Sequence, residues 1–289
     1  MGFADGLVLV VDPDNATVAR THRSHKYGLS HFAFLDADPS GASAVAVPAY
    51  APGKDQSIRL WDLSNNRFWK VFRPVENEPV RSVSTHSCNK TFLSTVASGT
   101  TYLWDSREDK PVWTSPSADP NSVATFSKQL NSPYFAMSHP SRKSLTVHDI
   151  RAIDTPVHEF SRISCNVDEL LFYPDGSKLL LGSHHMGTVT TLDIPKHKEL
   201  SMIFVPPMKK GSTSKFNLSI SSNGRYCSIS TATNAVEIWD LHARVKVKSL
   251  PGHGGNPTSA FSPIHTLLAT ASIPVALWVP AQRSILDDI

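Results

Sequence analysis

Residues 58–63 read IRLWDL, a short run of β-branched, aliphatic and aromatic residues that closes on a Trp-Asp pair. A run of this kind, bounded by turn-forming residues, is typical of a β-strand. Runs that close on Trp-Asp or a near equivalent recur at LVLVVD (7–12), TYLWDS (101–106), LTVHDI (145–150), VTTLDI (189–194), VEIWDL (236–241) and VALWVP (275–280). The stretch at 58–63 is therefore one of seven copies of a repeat.

The seven copies are evenly spaced along the chain. The marker position is held by Asp12, Asp62, Asp105, Asp149, Asp193, Asp240 and Val279, at intervals of 50, 43, 44, 44, 47 and 39 residues. A period of about 40 to 45 residues is the sequence signature of WD-repeat propeller blades, which contain four short strands each. We therefore predict an all-β WD-repeat β-propeller of seven units, with residues 1–289 forming a single domain.

The unit that ends at Asp193 illustrates how four strands fit into one repeat. Its candidate strands are residues 156–162, 167–174, 178–185 and 188–194. Pro174, Asp175 and Gly176 separate the second strand from the third, because Pro fixes φ, Asp bonds the turn backbone and Gly accepts a positive φ. Helical periodicity of comparable length is absent from the sequence, which supports the all-β prediction.

The recurring Trp-Asp pair has a structural explanation. Trp61, Trp104, Trp239 and Trp278 occupy one equivalent position in the third strand of their units. A large ring at that position can pack between neighbouring blades. We therefore interpret these tryptophans as structural, together with the aspartates that follow this strand, Asp62, Asp105, Asp149, Asp193 and Asp240.

The strand count indicates an incomplete ring. The first unit begins directly at its third strand and the last ends after its third, which gives 25 strands where seven full blades need 28. One interpretation is a seven-unit ring with a defective first blade, in a protein whose own start lies upstream of residue 1. The alternative is six-bladed closure, in which residues 17–23 complete the final blade. Either seam is a candidate for β-strand addition by a partner.

The composition is that of a globular protein with many turns. Hydrophobic residues make up 40% of the chain and charged residues 18%, and the 21 prolines are more than a helix-rich fold would tolerate. The longest aliphatic stretch near the start, 7–11, is far too short to span a membrane, which takes about 18 residues. A formal net charge of +3 without a basic run does not favour direct nucleic-acid binding.

Sequence motifs for chemistry are missing. The 13 histidines include neighbours at His22 and His25 and at His184 and His185, but these lack the helical spacing and the accompanying Glu of a zinc-protease site. Neither a nucleophile elbow nor a phosphate-binding loop can be found. Cys88, Cys165 and Cys227 are too far apart for a metal-binding pair. We expect a protein that is not an enzyme and that holds no cofactor or metal.

Candidate binding residues therefore lie on the predicted surface. Turns between second and third strands share one face of a propeller, and here they carry Lys54, Arg142, Lys143, His184 and His185. This positive and titratable group could hold an acidic peptide of a partner. Trp69 and Trp113 fall instead on outer fourth strands, where an exposed indole would make a good anchor for a partner.

Three segments resemble one WD-repeat family more specifically. Residues 24–34 (SHKYGLSHFAF), 54–72 (KDQSIRLWDLSNNRFWKVF) and 267–282 (LLATASIPVALWVPAQ) are similar to the Swd-type WD-repeat subunit shared by nuclear complexes. In that subunit the last blade ends in an Ala-Phe-Trp-Leu-Pro-like stretch, matched here by residues 276–280.

The resemblance implies a scaffold function in the nucleus, with a cytoplasmic pool left open. Implied partners are a COMPASS-type histone lysine methyltransferase, or a PNUTS-like regulator and protein phosphatase 1 in transcription termination and RNA 3′-end processing. The alternatives are an adaptor of a ubiquitin ligase or of another RNA-processing assembly, and a propeller hydrolase.

Overall fold

A computed structural model gives the architecture of the chain. It describes residues 7–12, 15, 17–23, 26, 28–35, 43–48, 56–74, 78–116, 118–204, 217–230, 234–253, 257–272 and 275–280. Within these ranges there are 25 β-strands and no α-helix, and one turn of 3-10 helix spans Pro140–Arg142. No helix in the described ranges is long and apolar enough to cross a membrane. The all-β prediction is confirmed.

The strands pair in chain order into seven sheets. Their bounds are β1 (Leu7–Asp12) and β2 (Thr17–Arg23); β3 (Leu29–Phe34), β4 (Ser43–Pro48), β5 (Ile58–Asp62) and β6 (Arg67–Phe72); β7 (Val80–Thr85), β8 (Thr91–Val96), β9 (Thr101–Asp105) and β10 (Trp113–Thr114); β11 (Ala124–Phe126), β12 (Tyr134–His139), β13 (Ser144–Asp149) and β14 (Pro156–Ser161). The remaining strands are β15 (Glu169–Phe172), β16 (Lys178–Ser183), β17 (Thr188–Asp193) and β18 (Lys198–Phe204); β19 (Leu218–Ile220), β20 (Tyr226–Ser230), β21 (Val236–Asp240) and β22 (Val245–Leu250); and β23 (Thr258–Phe261), β24 (Leu268–Ala271) and β25 (Ala276–Trp278).

Six of these sheets have the size of a propeller blade. Five contain four strands and the sheet β23–β24–β25 contains three, whereas β1 and β2 form a two-stranded sheet. The WD-type propeller prediction is thus confirmed, with six blade-sized sheets as in the alternative. That alternative expects residues 17–23 to complete the final blade, and this is wrong, because β2 pairs with β1 instead. The repeated Asp ends the third strand of each four-stranded sheet, at Asp62, Asp105, Asp149, Asp193 and Asp240.

The two-stranded sheet corresponds to the outer half of a blade. The register of β1 and β2 slips between Val10 and Val11, directly before Asp12. In the next sheet the register of β5 and β6 slips at the equivalent place, between Leu60 and Trp61. β1 and β2 therefore match third and fourth strands, as expected of a first unit that begins at its third strand.

The chain divides into two compact units, residues 1–183 with 190–200, and residues 184–189 with 201–289. In the first unit, side chains from two adjacent sheets share one core: Leu60 of β5 and Phe72 of β6 pack with Phe92 of β8 and Trp104 of β9. The Phe72 and Trp104 ring centroids lie 5.4 Å apart. Large rings thus fill the space between these blades, which is how stacked sheets bury their apolar faces.

Serine hydroxyls join the inner strands of neighbouring sheets. In the first unit the Phe126 amide donates a 2.9 Å hydrogen bond to the Ser84 hydroxyl. In the second unit the Phe261 amide donates a 2.8 Å bond to the Ser219 hydroxyl. Both pairs are 42 residues apart, close to one repeat. The bonds satisfy backbone amides that face away from their own sheet.

Candidate partner-binding surface

The four repeated tryptophans lie in three different environments. Trp104 is buried and its indole donates a 2.8 Å hydrogen bond to the Ser94 hydroxyl; Trp278 is half-buried and makes the same bond, also 2.8 Å, to Thr270. Trp61 is buried against Phe68, with ring centroids 4.1 Å apart. Trp239 is half-buried and donates instead to the Glu237 carboxylate at 3.0 Å. Each of the four tryptophans makes a contact within its own sheet that anchors the third strand.

The repeated aspartates cap the turn that follows the third strand. Asp105 accepts the Arg107 amide at 2.9 Å, Asp149 the Arg151 amide at 2.9 Å, and Asp193 the Lys196 amide at 2.9 Å. Asp62 and Asp240 each accept two such amides. An Asp that bonds the backbone two or three residues ahead favours a tight turn. Capping of this turn explains why Asp recurs in each repeat, and the role of these aspartates is structural.

These bonds also hold the carboxyl groups in their charged form. The side-chain hydrogen bonds from Arg107 to Asp105 and from Arg151 to Asp149 lower the pKa of each aspartate. The pKa of Asp240 is lowered first by the backbone amide of Ala243. A carboxylate that accepts hydrogen bonds favours ionisation. None of these groups is suited to donate a proton near neutral pH.

Outer strands carry a bulge at a constant place. In the sheets of Asp62, Asp149 and Asp240, one residue of the fourth strand, next to the partner of the residue before the Asp, has no cross-strand partner: Trp69 in β6, Val157 in β14 and Val247 in β22. A bulge bends the strand and redirects the extra side chain. The three side chains are 46%, 47% and 54% exposed. The same bulge therefore presents a Trp in one blade and a Val in two others.

Trp69 lies beside an open cleft at this bulge. The cleft, of about 460 Å³, is lined by Ser43, Asp62, Ser64, Asn65, Arg67 and Trp69. The exposed neighbours of Trp69 on β6 include Phe68 and Val71. The rest of the cleft lining is polar and holds one acidic and one basic residue. The exposed indole beside Arg67 is a candidate anchor for a partner, because Trp and Arg are enriched at such sites.

Trp113 also lies on an outer strand, in the next blade, but at the register position of Lys70 and not of Trp69, and its ring is turned inward. Its half-buried ring packs 6.1 Å from Phe135 and 6.3 Å from His148. β10 consists of only two residues, and the described pairing of Trp113 with Leu103 has no bulge. The indole therefore covers the neighbouring blade, and it offers less surface to a partner than Trp69 does.

The basic turn residues are described in separate units. Arg142 and Lys143 are exposed and close the 3-10 turn after β12, where Lys143 has a φ of +49°. In the second unit His184 is half-buried and His185 exposed, with ring centroids 4.1 Å apart. Lys54 lies outside the described residues. Each pair therefore lies at a turn with at least one exposed side chain that a partner peptide could contact.

A cleft between β14 and β18 was not anticipated from the sequence. It has a volume of about 480 Å³, and its lining includes Phe160, Arg162, His197 and Glu199. His158 Nδ1 and His197 Nε2 are 3.0 Å apart, and the His197 ring stacks 4.8 Å from Phe160. A nitrogen–nitrogen bond of this kind requires one ring nitrogen to keep its lone pair.

Buried histidines are held neutral by their surroundings. His148 Nδ1 donates to the Ile153 carbonyl at 3.0 Å, so its Nε2 accepts from the Thr146 hydroxyl at 3.0 Å. That hydroxyl in turn accepts from His139 Nε2 at 2.9 Å. Burial lowers the pKa of both histidines. His139 Nδ1 is buried without a hydrogen-bond partner among the described residues. The remaining bonds of this network stabilise the blade, and burial keeps both imidazoles neutral.

The buried cysteines are similarly inert. Burial raises the pKa of Cys165 to about 11 and that of Cys227 to about 12, while Cys88 is half-buried. A thiol with a raised pKa is a weak nucleophile. In the described residues, no three His, Cys, Asp or Glu side chains come together in a way that could hold a metal ion.

Comparisons with known proteins show the fold. No protein-family description matches the sequence, and no curated protein sequence matches it. Among solved structures, the chain is similar to the Cps50 (Swd1) β-propeller domain of Myceliophteria thermophila, with a TM-score of 0.75 and 17% sequence identity. The likeness covers 96% of this chain and 92% of that domain. The chain therefore has the β-propeller fold of that domain.

Proposed function

We propose that this chain is a non-enzymatic WD-repeat scaffold that holds subunits of a nuclear chromatin or transcription complex. The observation that carries the proposal is the propeller fold, shared over 96% of the chain with the Cps50 (Swd1) β-propeller domain. The sequence resemblance at residues 24–34, 54–72 and 267–282 supports the same assignment. The partners are then a COMPASS-type histone methyltransferase, or a PNUTS-like regulator with protein phosphatase 1.

Partner contact is assigned to exposed side chains in defined places. Trp69 supplies an aromatic anchor that is 46% exposed. Arg142 and Lys143 supply positive charge at one turn, and His185 with His184 supplies titratable charge at another. Charges at the rim of an interface chiefly increase the rate of association and select among partners. Trp113, which packs inward, is the weakest member of this set.

Affinity purification of the tagged, full-length chain with mass spectrometry tests the function. The proposal expects methyltransferase or phosphatase subunits in stoichiometric amounts. Recovery of ubiquitin-ligase subunits, or of another RNA-processing assembly, would replace the assigned complex. A chain without stoichiometric partners that turns over a substrate in a broad hydrolase screen would refute the scaffold function itself.

A further inference from the structure

We infer that the Trp69 cleft binds an extended acidic segment of a partner protein that carries one bulky apolar residue. The inference rests on the proposed scaffold function and specifies the chemistry of one of its contacts. It is argued from the presentation of Trp69, from the charges along β6 and from the spacing of those charges.

The presentation of Trp69 is a product of local backbone geometry. Leu60 pairs with Lys70 and Trp61 pairs with Phe68, so Trp69 between them has no cross-strand partner. Phe68 is held against Trp61 at 4.1 Å and lies 4.9 Å under the Arg59 guanidinium. These contacts fix the strand on both sides of the bulge. The bulge thus sets the place at which the indole is presented to a partner.

The charges along the strand favour an acidic ligand. Residues 67–73, RFWKVFR, contain three basic residues and no acidic one. Lys70 is paired with Asp109 at 3.1 Å, whereas Arg67 and Arg73 are exposed and form no ion pair within the described ranges. Two arginines therefore lie on either side of Trp69 along the chain, and Arg67 lines the cleft itself. A guanidinium is well suited to bind a carboxylate through two parallel hydrogen bonds.

The acidic residue of the cleft offsets only part of this charge. Asp62 accepts hydrogen bonds from the Ser64 amide at 2.9 Å and the Asn65 amide at 3.0 Å, and from the Asn65 side chain at 2.7 Å. Its carboxylate stays charged and is attracted by Arg67, but the two form no ion pair in the part of the chain that the structure describes. Arg67 and Arg73 together therefore keep an excess of one positive charge over Asp62. Charge complementarity at the cleft then favours a negative partner over a positive one.

Spacing along residues 67–73 defines the ligand further. Arg67 and Arg73 lie two and four residues from Trp69, or about 7 Å and 13 Å along a strand. An extended ligand has the same rise per residue. We therefore expect an acidic residue two positions from the apolar residue on one side, and a second acidic residue four positions away on the other side.

A binding assay with designed peptides tests this inference. The probe is the fluorescent peptide GESFSGSEG, and its controls are the uncharged GQSFSGSQG and the respaced GSESFEGSG. Fluorescence anisotropy with the full-length protein should show the probe binding at least tenfold more tightly than either control, and more weakly as salt rises. Equal binding of the uncharged or the respaced peptide, or no measurable binding of the probe, would overturn the inference.

Variants locate the binding to the cleft. Trp69→Ala and Arg67→Glu should each weaken probe binding at least tenfold, whereas Val157→Ala, which alters the equivalent bulge in β14, should leave it unchanged. An unaltered affinity in Trp69→Ala would overturn the assignment. The proposed function would survive that result if the wild-type chain still copurified with stoichiometric partners, so the two failures are distinguishable.

Discussion

The indole of Trp104 donates its N–H to the Ser94 hydroxyl at 2.8 Å, and both side chains are buried in the core of one blade. The bond connects the third strand, β9, to the second, β8. The half-buried Trp278 makes the equivalent bond to Thr270 in the second unit. The repeated Trp thus contributes a large apolar ring and a specific polar contact at the same time.

Replacing Trp104 by Phe should destabilise the protein by about 1–3 kcal/mol, because the buried Ser94 hydroxyl would lose its partner. Urea unfolding measures the change in the free energy of unfolding. Trp69→Phe is the matched control, since an exposed aromatic exchange should alter that free energy by at most about 0.5 kcal/mol. A Trp104→Phe variant as stable as the control would show that the bond contributes nothing.

The turn aspartates should contribute to stability through their backbone contacts. Asp105→Ala removes the acceptor of the Arg107 amide and should cost about 1–2 kcal/mol. Arg107→Ala should cost far less, because the Arg107 side chain is 74% exposed and a surface ion pair contributes little. Thermal or urea unfolding of the two variants measures the difference. Equal losses would mean that Asp105 stabilises the protein through its ion pair with Arg107 and not through its hydrogen bond to the turn.

Asp105 should also make stability depend on pH. Its pKa is lowered in the folded protein by the Arg107 hydrogen bond, so the unfolded chain binds the proton more readily. The stabilisation is present above the unfolded pKa of about 3.9 and is lost as the pH falls through the folded pKa. In Asp105→Asn the amide oxygen remains an acceptor but does not titrate. The stability difference between wild type and this variant should therefore shrink below about pH 4. A constant difference in urea unfolding at pH 7 and pH 3 would contradict this explanation.

The His158–His197 pair predicts a second pH dependence, at higher pH. The pKa of His158 is lowered by burial and then by the charge of His197, so the unfolded chain takes up the proton first. Stability should fall as the pH drops from about 6.5 through the folded pKa. His158→Gln should make this loss less steep between pH 7 and pH 5, and His185→Gln, at an exposed turn, should not. Parallel pH profiles for wild type and His158→Gln would exclude the pair as a contributor.

The basic turn after β12 should affect the rate of partner association. Reversing charge in the double variant Arg142→Glu, Lys143→Glu should slow association with the copurified partner by roughly tenfold at low salt and leave dissociation nearly unchanged. Surface plasmon resonance separates the two rates. Lys90→Glu, an exposed change at a turn between first and second strands, serves as the control. Unchanged kinetics in the double variant would remove Arg142 and Lys143 from the binding surface.

The three-stranded sheet offers an edge for strand addition. β25 pairs with β24, and no fourth strand joins this sheet within the described ranges. Amides of β25 should exchange with solvent hydrogen faster than those of β9, which is paired on both sides, and binding of a partner strand should slow them. Hydrogen exchange followed by mass spectrometry reports this for residues 267–279. Full protection of that segment in the isolated protein would argue against an open edge.

The fold could be predicted from the sequence because its signals are local. Asp62 and its equivalents must follow the third strand to cap a turn, so their spacing records the length of each repeat. Gly176 and Gly224 have φ angles of +71° and +69°, and such conformations restrict the residue type at tight turns. These constraints act within a few residues and leave a readable pattern.

Candidate site residues depend on register and on distant partners, which leave no such pattern. The run RFWKVF looks the same with or without a bulge, so the sequence identifies Trp69 as an outer-strand residue but not as the one the bulge redirects. Trp113 has the same predicted position, yet its side chain packs on Phe135 of another blade. His158 and His197 are 39 residues apart, and only the folded sheets bring their rings together.

Native mass spectrometry of the tagged protein, purified gently from cells that make it, tests the central claim most directly. A scaffold predicts that most of the 31.6 kDa chain is recovered in assemblies of defined composition with other polypeptides, and that these dissociate in a salt-dependent manner. Recovery only as a single polypeptide, at protein concentrations matching those in the cell, would contradict it.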